Sequence, residues 1–189
     1  QQVNLRLLWK GEFAAVDDGR FSARGTDRVQ FAPGVPFHRL KSLDDNWPYK
    51  RKTDYLFPQD HGYQFRGYYL DKKKAPTFMY RYGDIRVEDF FEDRIDAKQG
   101  AYLRRTITFD APRPQEKFYF RAATGGRIFR KETPEQAAEA TTAAYGVDRL
   151  TLLVRGAPPG VLREGEPQEL LIPLELPQGE TKLELEYRW

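Results

Sequence analysis

The sequence contains no cysteine. Disulfides, thiol nucleophiles, cysteine-ligated zinc and covalent attachment of a c-type haem are thereby excluded within the chain. Histidine is almost as scarce: His38 lies in "PFHRL" and His61 in "PQDHGY". Asp60 could join the two as a third metal ligand, but no HExxH or comparable spacing occurs, and both read as structural or surface histidines. Neither a metal nor another cofactor is expected. GxSxG, SxxK, P-loop and GxGxxG motifs are missing. The glycine pair in "ATGGRIF" lacks the lysine and helix start that a phosphate cradle needs, so it reads as a tight turn. No apolar run approaches the ~20 residues of a membrane span, and no Gly/Ser tract or long charge block could serve as a linker. Methionine occurs once, at Met79, and the chain opens on Gln1. A processed or excised segment is expected, from which any signal peptide has already gone.

A concentrated basic block is also lacking. Thirty-one lysines and arginines face 28 acids, a net charge of +3. Nucleic-acid binders concentrate positive charge on one face. Here Lys50-Arg51-Lys52 and Lys72-Lys73-Lys74 are short runs beside turns and read as solvated loops, so no nucleic-acid partner is expected.

Aromatics, by contrast, make up 14% of the chain, and they favour strands. In "TKLELEYRW", Leu183, Leu185, Tyr187 and Trp189 alternate with charged residues, the pattern of a strand with one buried and one wet face. "VNLRLLW" predicts Val3, Leu5, Leu7 and Trp9 inward. In "AYLRRTITF", Leu103, Ile107 and Phe109 share a face with Arg105, which breaks the pattern. Phe78, Tyr80 and Tyr82 alternate up to Gly83-Asp84, and Ile85 and Val87 alternate away, as in a hairpin with a two-residue turn. "QFRGYYLD", Phe118 to Ala123, Leu150 to Arg155 and Glu169 to Leu176 predict further strands. One helix is expected over about 134–145, with Thr133 as N-cap, Pro134 at the first position, Gln136 completing a capping box and Gly146 as C-cap. Residues 16–64 read as long loops with short strands. The 189 residues are long enough for a sizeable core, and the expectation is one all-β domain over 1–189: an antiparallel β-sandwich of roughly ten strands with one short packed helix.

Two chemistries remain open. Trp47, Tyr49, Tyr63 and Tyr68 stand in or beside irregular segments, with Arg66, Arg81 and Arg104 at outward-looking strand positions. Sugar rings present apolar C–H faces that stack on flat side chains, while arginine and carboxylate bond their hydroxyls. With His61 these eight residues form the candidate ligand site, and no catalytic residue is assigned. The bland alternative is that the rings fill the core and the arginines snorkel over it. A second possibility is a carbohydrate-active enzyme, whether hydrolase, lyase or epimerase, using Asp60, His61, Tyr63, Arg66 and Glu88. Glu88 and Asp89 are adjacent on a strand and point to opposite faces, so they cannot flank one glycosidic bond. Glu88 and Glu92 share a parity and could line one face.

"LWKGEF", "GRFSARG", "FRGYYLDKKKAPTFMYRYGDIRVED" and "YLRRTITF" together resemble a domain of large exported bacterial proteins. Those proteins combine a sorbosone-dehydrogenase-like β-propeller, helical repeats and a CxxCH cytochrome module. The resemblance covers residues 7 to 125, with Phe21 where tryptophan is more usual. No haem motif is present, so redox chemistry does not transfer. The resemblance implies an exported, periplasmic or cell-surface setting and an accessory role in saccharide-oxidising or saccharide-degrading machinery. The expected function is therefore a non-catalytic module that recognises carbohydrate or docks on neighbouring domains of a larger protein.

Overall fold

The computed structural model describes residues 3–10, 16–17, 20–21, 26–31, 33–48, 57–97, 100–133 and 142–188. Among them are sixteen strands: β1 Leu7–Lys10, β2 Val16–Asp17, β3 Arg20–Phe21, β4 Thr26–Gln30, β5 Phe37–Arg39, β6 Tyr63–Leu70, β7 Pro76–Tyr82, β8 Ile85–Asp96, β9 Gly100–Ala111, β10 Gln115–Gly125, β11 Ile128–Lys131, β12 Thr142–Val147, β13 Leu150–Arg155, β14 Val161–Arg163, β15 Gln168–Leu176 and β16 Gly179–Arg188. Every pairing is antiparallel. One sheet has eight strands in the order β11-β12-β13-β16-β9-β8-β7-β6, and another has four in the order β14-β15-β10-β5. Two short ribbons, β1-β4 and β2-β3, complete the set.

The all-β class and antiparallel pairing match the sequence reading, whereas a single ten-strand sandwich does not describe these unequal sheets. The strands beyond ten are short ones: β2 to β5, in the region read as long loops with short strands, and β11 and β14 further on. The expected hairpin forms. Tyr82 pairs with Ile85 across Gly83-Asp84, and Gly83 supplies a φ of 58° at the first turn position.

The two larger sheets meet across a shared aromatic core. Phe37 of β5 sits among Tyr63, Tyr80, Tyr82, Phe109 and Phe118, with ring centroids 5.2–5.9 Å apart. Such ring pairs add about 0.5–1.5 kcal/mol each beyond their buried area. Leu170, Leu171, Ile172, Leu183 and Leu185 extend the same core. The connection 33–48 is clipped onto it by arginines. Arg163 Nη1 donates to the carbonyls of Leu43 (2.7 Å) and Asp45 (2.6 Å). Glu169 accepts from both Arg163 and Arg121, and Arg121 Nη2 reaches Pro33 O at 2.5 Å.

Two local expectations change. Residues 134–141 lie outside the described residues, but Thr142 to Tyr145, read as the end of a helix, belong to β12. All six residues of β12 are buried between β11 and β13, and a strand covered on both faces shows no alternation. Gly146 is therefore no helix cap. It lies opposite Phe129, whose ring occupies the space a Cβ would need, 2.4 Å from its closest atom. In β1, Leu8 is the buried residue, while Leu7 and Trp9 are half-buried. This strand pairs only in its ribbon with β4, through a register shift between Leu8 and Lys10, so simple alternation fails there.

Candidate functional site

Beyond the core, the aromatic face of β6, β7 and β8 continues into solvent. A bulge produces this surface. The register shifts between Phe65 and Gly67, so Phe65 opposes Tyr80 and Tyr68 opposes Phe78. Both residues consequently lie on the face that carries the core tyrosines, although they are three apart in sequence. Gly67 has a φ of 127°, a conformation that side chains with a Cβ rarely adopt. The rings then run in a row. Tyr68 and Phe78 have centroids 6.0 Å apart, Phe78 and Phe91 5.9 Å in a T-shape, and the Arg105 guanidinium sits 5.1 Å from the Phe91 centroid.

A cleft of about 690 Å³ opens beside this row. Phe57, Phe65, Phe78, Phe91 and Trp9 supply its rings, and Asn4, Arg6 and Gln59 supply polar groups. Phe57, Phe65 and Tyr68 are 52%, 54% and 61% exposed.

The floor of the cleft includes Asp89, which is locked in place. Arg105 donates to it from Nε (2.8 Å) and Nη2 (2.7 Å), and Tyr80 Oη donates at 3.3 Å. Arg105 is 1% exposed. Burial opposes the charge most strongly, but Asp89, with Tyr187 and Tyr80 adding to it, holds the guanidinium pKa above its ordinary value. Here the exceptional Arg105 of the β9 pattern finds its explanation. It is the partner of a buried carboxylate, and the pair fixes β8 against β9 below the exposed rings.

The candidate residues named from the sequence scatter. Trp47 is 3% exposed, donates from Nε1 to Val35 O at 3.0 Å and lies under Arg121, which places it in the core. Tyr63 is buried too; its hydroxyl accepts from Phe37 N at 3.1 Å and donates to Phe37 O. Burial, with Tyr80 adding to it, pushes its phenol well above the usual range. Tyr49 lies outside the described residues. His61 ends a 3-10 turn, Pro58–His61, and its ring stands 6.1 Å from that of His38. His38 in turn shares a hydrogen bond with Tyr82 Oη at 3.2 Å. No group of three or more metal-ligating side chains occurs among the described residues.

Tyr68 belongs to the exposed row. Arg66 and Arg81 line a second groove on the opposite face of the sheet, and Arg104 pairs with Glu186 at 3.2 Å on that same outer face, further along. The residues of the enzyme reading do not converge either. Tyr63 lines the aromatic cleft, Arg66 and Glu88 line the outer groove, and His61 lies against His38. Sequence reasoning missed Phe57 and Phe65, which are exposed, and Phe78 and Phe91, which are half-buried, because the burial of each depends on where the second sheet ends. The glycine inside the aromatic strand, at Gly67, was the one available signal of a bulge.

No described helix is long and apolar enough to cross a membrane. No protein-family model matches the chain, and comparison with curated proteins and with solved structures gives no match.

Proposed function

We propose that the chain is a non-catalytic binding module of an exported multidomain protein, and that its ligand is a carbohydrate laid along the Phe65–Tyr68–Phe78–Phe91 surface. The observation that carries this reading is a row of rings beside a 690 Å³ cleft, with Phe65 and Tyr68 exposed and Phe78 and Phe91 half-buried behind them. Exposed aromatics normally cost solubility, and a contiguous apolar patch marks a contact surface. Flat rings match the C–H faces of pyranoses, and Asn4, Arg6 and Gln59 stand where hydroxyl groups would emerge. The exported setting rests on the sequence resemblance.

Isothermal titration of the chain against a broad panel of oligosaccharides tests the proposal. Binding is expected for at least one class, and Phe65→Ser and Tyr68→Ser should each abolish it without changing thermal stability by more than about 1 kcal/mol, since both are exposed. Silence across the panel contradicts carbohydrate recognition. Docking on a neighbouring domain is the second reading, favoured by the sheet-edge position of β6, whose Leu70 is also exposed.

A further inference from the structure

The outer face of the sheet around β6 to β9 carries a separate groove of about 630 Å³. Its charged lining is Arg66, Arg81, Arg86, Asp84, Glu88 and Asp110. Two of these carboxylates are already engaged. Arg86 donates to Asp110 from Nε at 3.0 Å and also from Nη2, while Arg113 Nε holds Asp84 at 3.2 Å. Arg66 reaches only the neutral Gln64 amide oxygen, at 3.2 Å. Arg81 Nε is buried and has no hydrogen-bond partner. Neither Arg66 nor Arg81 forms an ion pair among the described residues.

The register also sets two like charges side by side, of which, among the described residues, only Arg86 has its carboxylate, Asp110. Arg81 lies directly opposite Arg86 across β7 and β8, and like charges at opposed positions destabilise a sheet. A carboxylate seated by Arg81 and Arg66 would offset that repulsion and satisfy the buried Nε–H with a charge-assisted bond. Glu88 then selects among anions. It is exposed and receives only a long hydrogen bond from Tyr69 Oη, at 3.4 Å. It repels a bare oxyanion but accepts readily from a hydroxyl. One ligand class matches both demands, an acid group flanked by hydroxyls.

We propose that this outer groove binds a carboxylate-bearing saccharide, a uronic-acid residue whose carboxylate is held by Arg81 and Arg66 and whose ring hydroxyl donates to Glu88. The groove is on the opposite face from the exposed rings, so the two sites are separable by mutation. The test is a backbone and guanidinium NMR titration of the chain with oligogalacturonate, its methyl ester and inorganic sulfate. Oligogalacturonate should shift the Arg81 Nε–H and the Arg81 and Glu88 amides, and the methyl ester and sulfate should not. Arg81→Gln and Arg66→Gln should each weaken binding about ten-fold or more, the loss of one charge-assisted hydrogen bond. Arg66 is exposed, so Arg66→Gln probes the carboxylate contact without touching buried structure. Phe65→Ser should leave these shifts intact even where it abolishes binding at the rings. The proposal is overturned by an unresponsive Arg81 Nε–H, by an equal response to sulfate, or by unchanged affinity in both arginine variants.

Discussion

Replacing Asp89 with alanine isolates the interaction beneath the aromatic row. The substitution leaves Arg105 1% exposed, without the carboxylate that accepts from both its Nε and Nη2. Removing one partner of a buried ion pair costs about 3–5 kcal/mol, because the remaining charge is desolvated and uncompensated. Against a typical domain stability of about 5–15 kcal/mol, that is a large share. With a urea m-value of about 2 kcal/mol/M, the unfolding midpoint should fall by roughly 2 M. The pair itself contributes far less than its rupture costs. Asp89→Leu combined with Arg105→Met puts apolar side chains of similar reach in the same space, and such replacements are often neutral or stabilising. The double variant, which still leaves the buried Tyr80 hydroxyl without its acceptor, should therefore regain part of the loss, as read by equilibrium urea unfolding followed by tyrosine and tryptophan fluorescence. An Asp89→Ala midpoint within experimental error of the wild type would refute this account, as would a double variant no more stable than the single one.

Gly67→Val forces a Cβ onto a φ of 127°, at a cost of about 1–3 kcal/mol. It should also reduce saccharide affinity by disturbing the bulge that aligns Phe65 with Tyr68, measurable by calorimetry on a variant confirmed as folded. Gly146→Val should destabilise by about 1–3 kcal/mol and increase the exposure of Phe129, whose ring now fills that space, seen as a lower thermal midpoint. Stability should also depend on pH at both extremes. Burial first, then His61 and Arg39, lower the His38 pKa below 6.5. Its contribution is fully present above 6.5 and lost as pH falls through the folded-state value, and His38→Gln should flatten that acid limb in a urea series. Tyr63 and Tyr80 are raised well above 10.0 by burial. Their contribution is present below 10 and lost as pH rises beyond it, so their phenolate absorbance should appear only together with unfolding.

Period-two patterning made β7, β8, β9 and β16 legible, since each has one face against the core and another that is more open. Gly83-Asp84 fixed their first turn because a two-residue connection has narrow conformational demands. The same logic failed for β12, whose alanines and threonine carry no alternation when both faces are covered. It failed again at Glu186, which reads as a wet-face residue yet is 1% exposed, enclosed by Arg104, Arg155 and Arg188. Arg105 was visible as an anomaly, but its partner was not, since only the β8–β9 register sets Asp89 opposite Ile107, two residues from Arg105 and so on its diagonal. Among the candidate rings, local sequence marked aromatic residues and could not say which would be roofed by the four-stranded sheet. Trp47 and Tyr63 are; Phe65 and Tyr68 are not.

The central claim is that the rings beyond the edge of the core form a ligand surface. Its most direct measurement is aromatic side-chain NMR of the chain during titration with the oligosaccharide that calorimetry selects. Resonances of Phe65, Tyr68, Phe78 and Phe91 should shift together along one binding curve, while those of the buried Tyr80 and Tyr145 stay fixed. Saturable binding that leaves all four of those rings unmoved would contradict it.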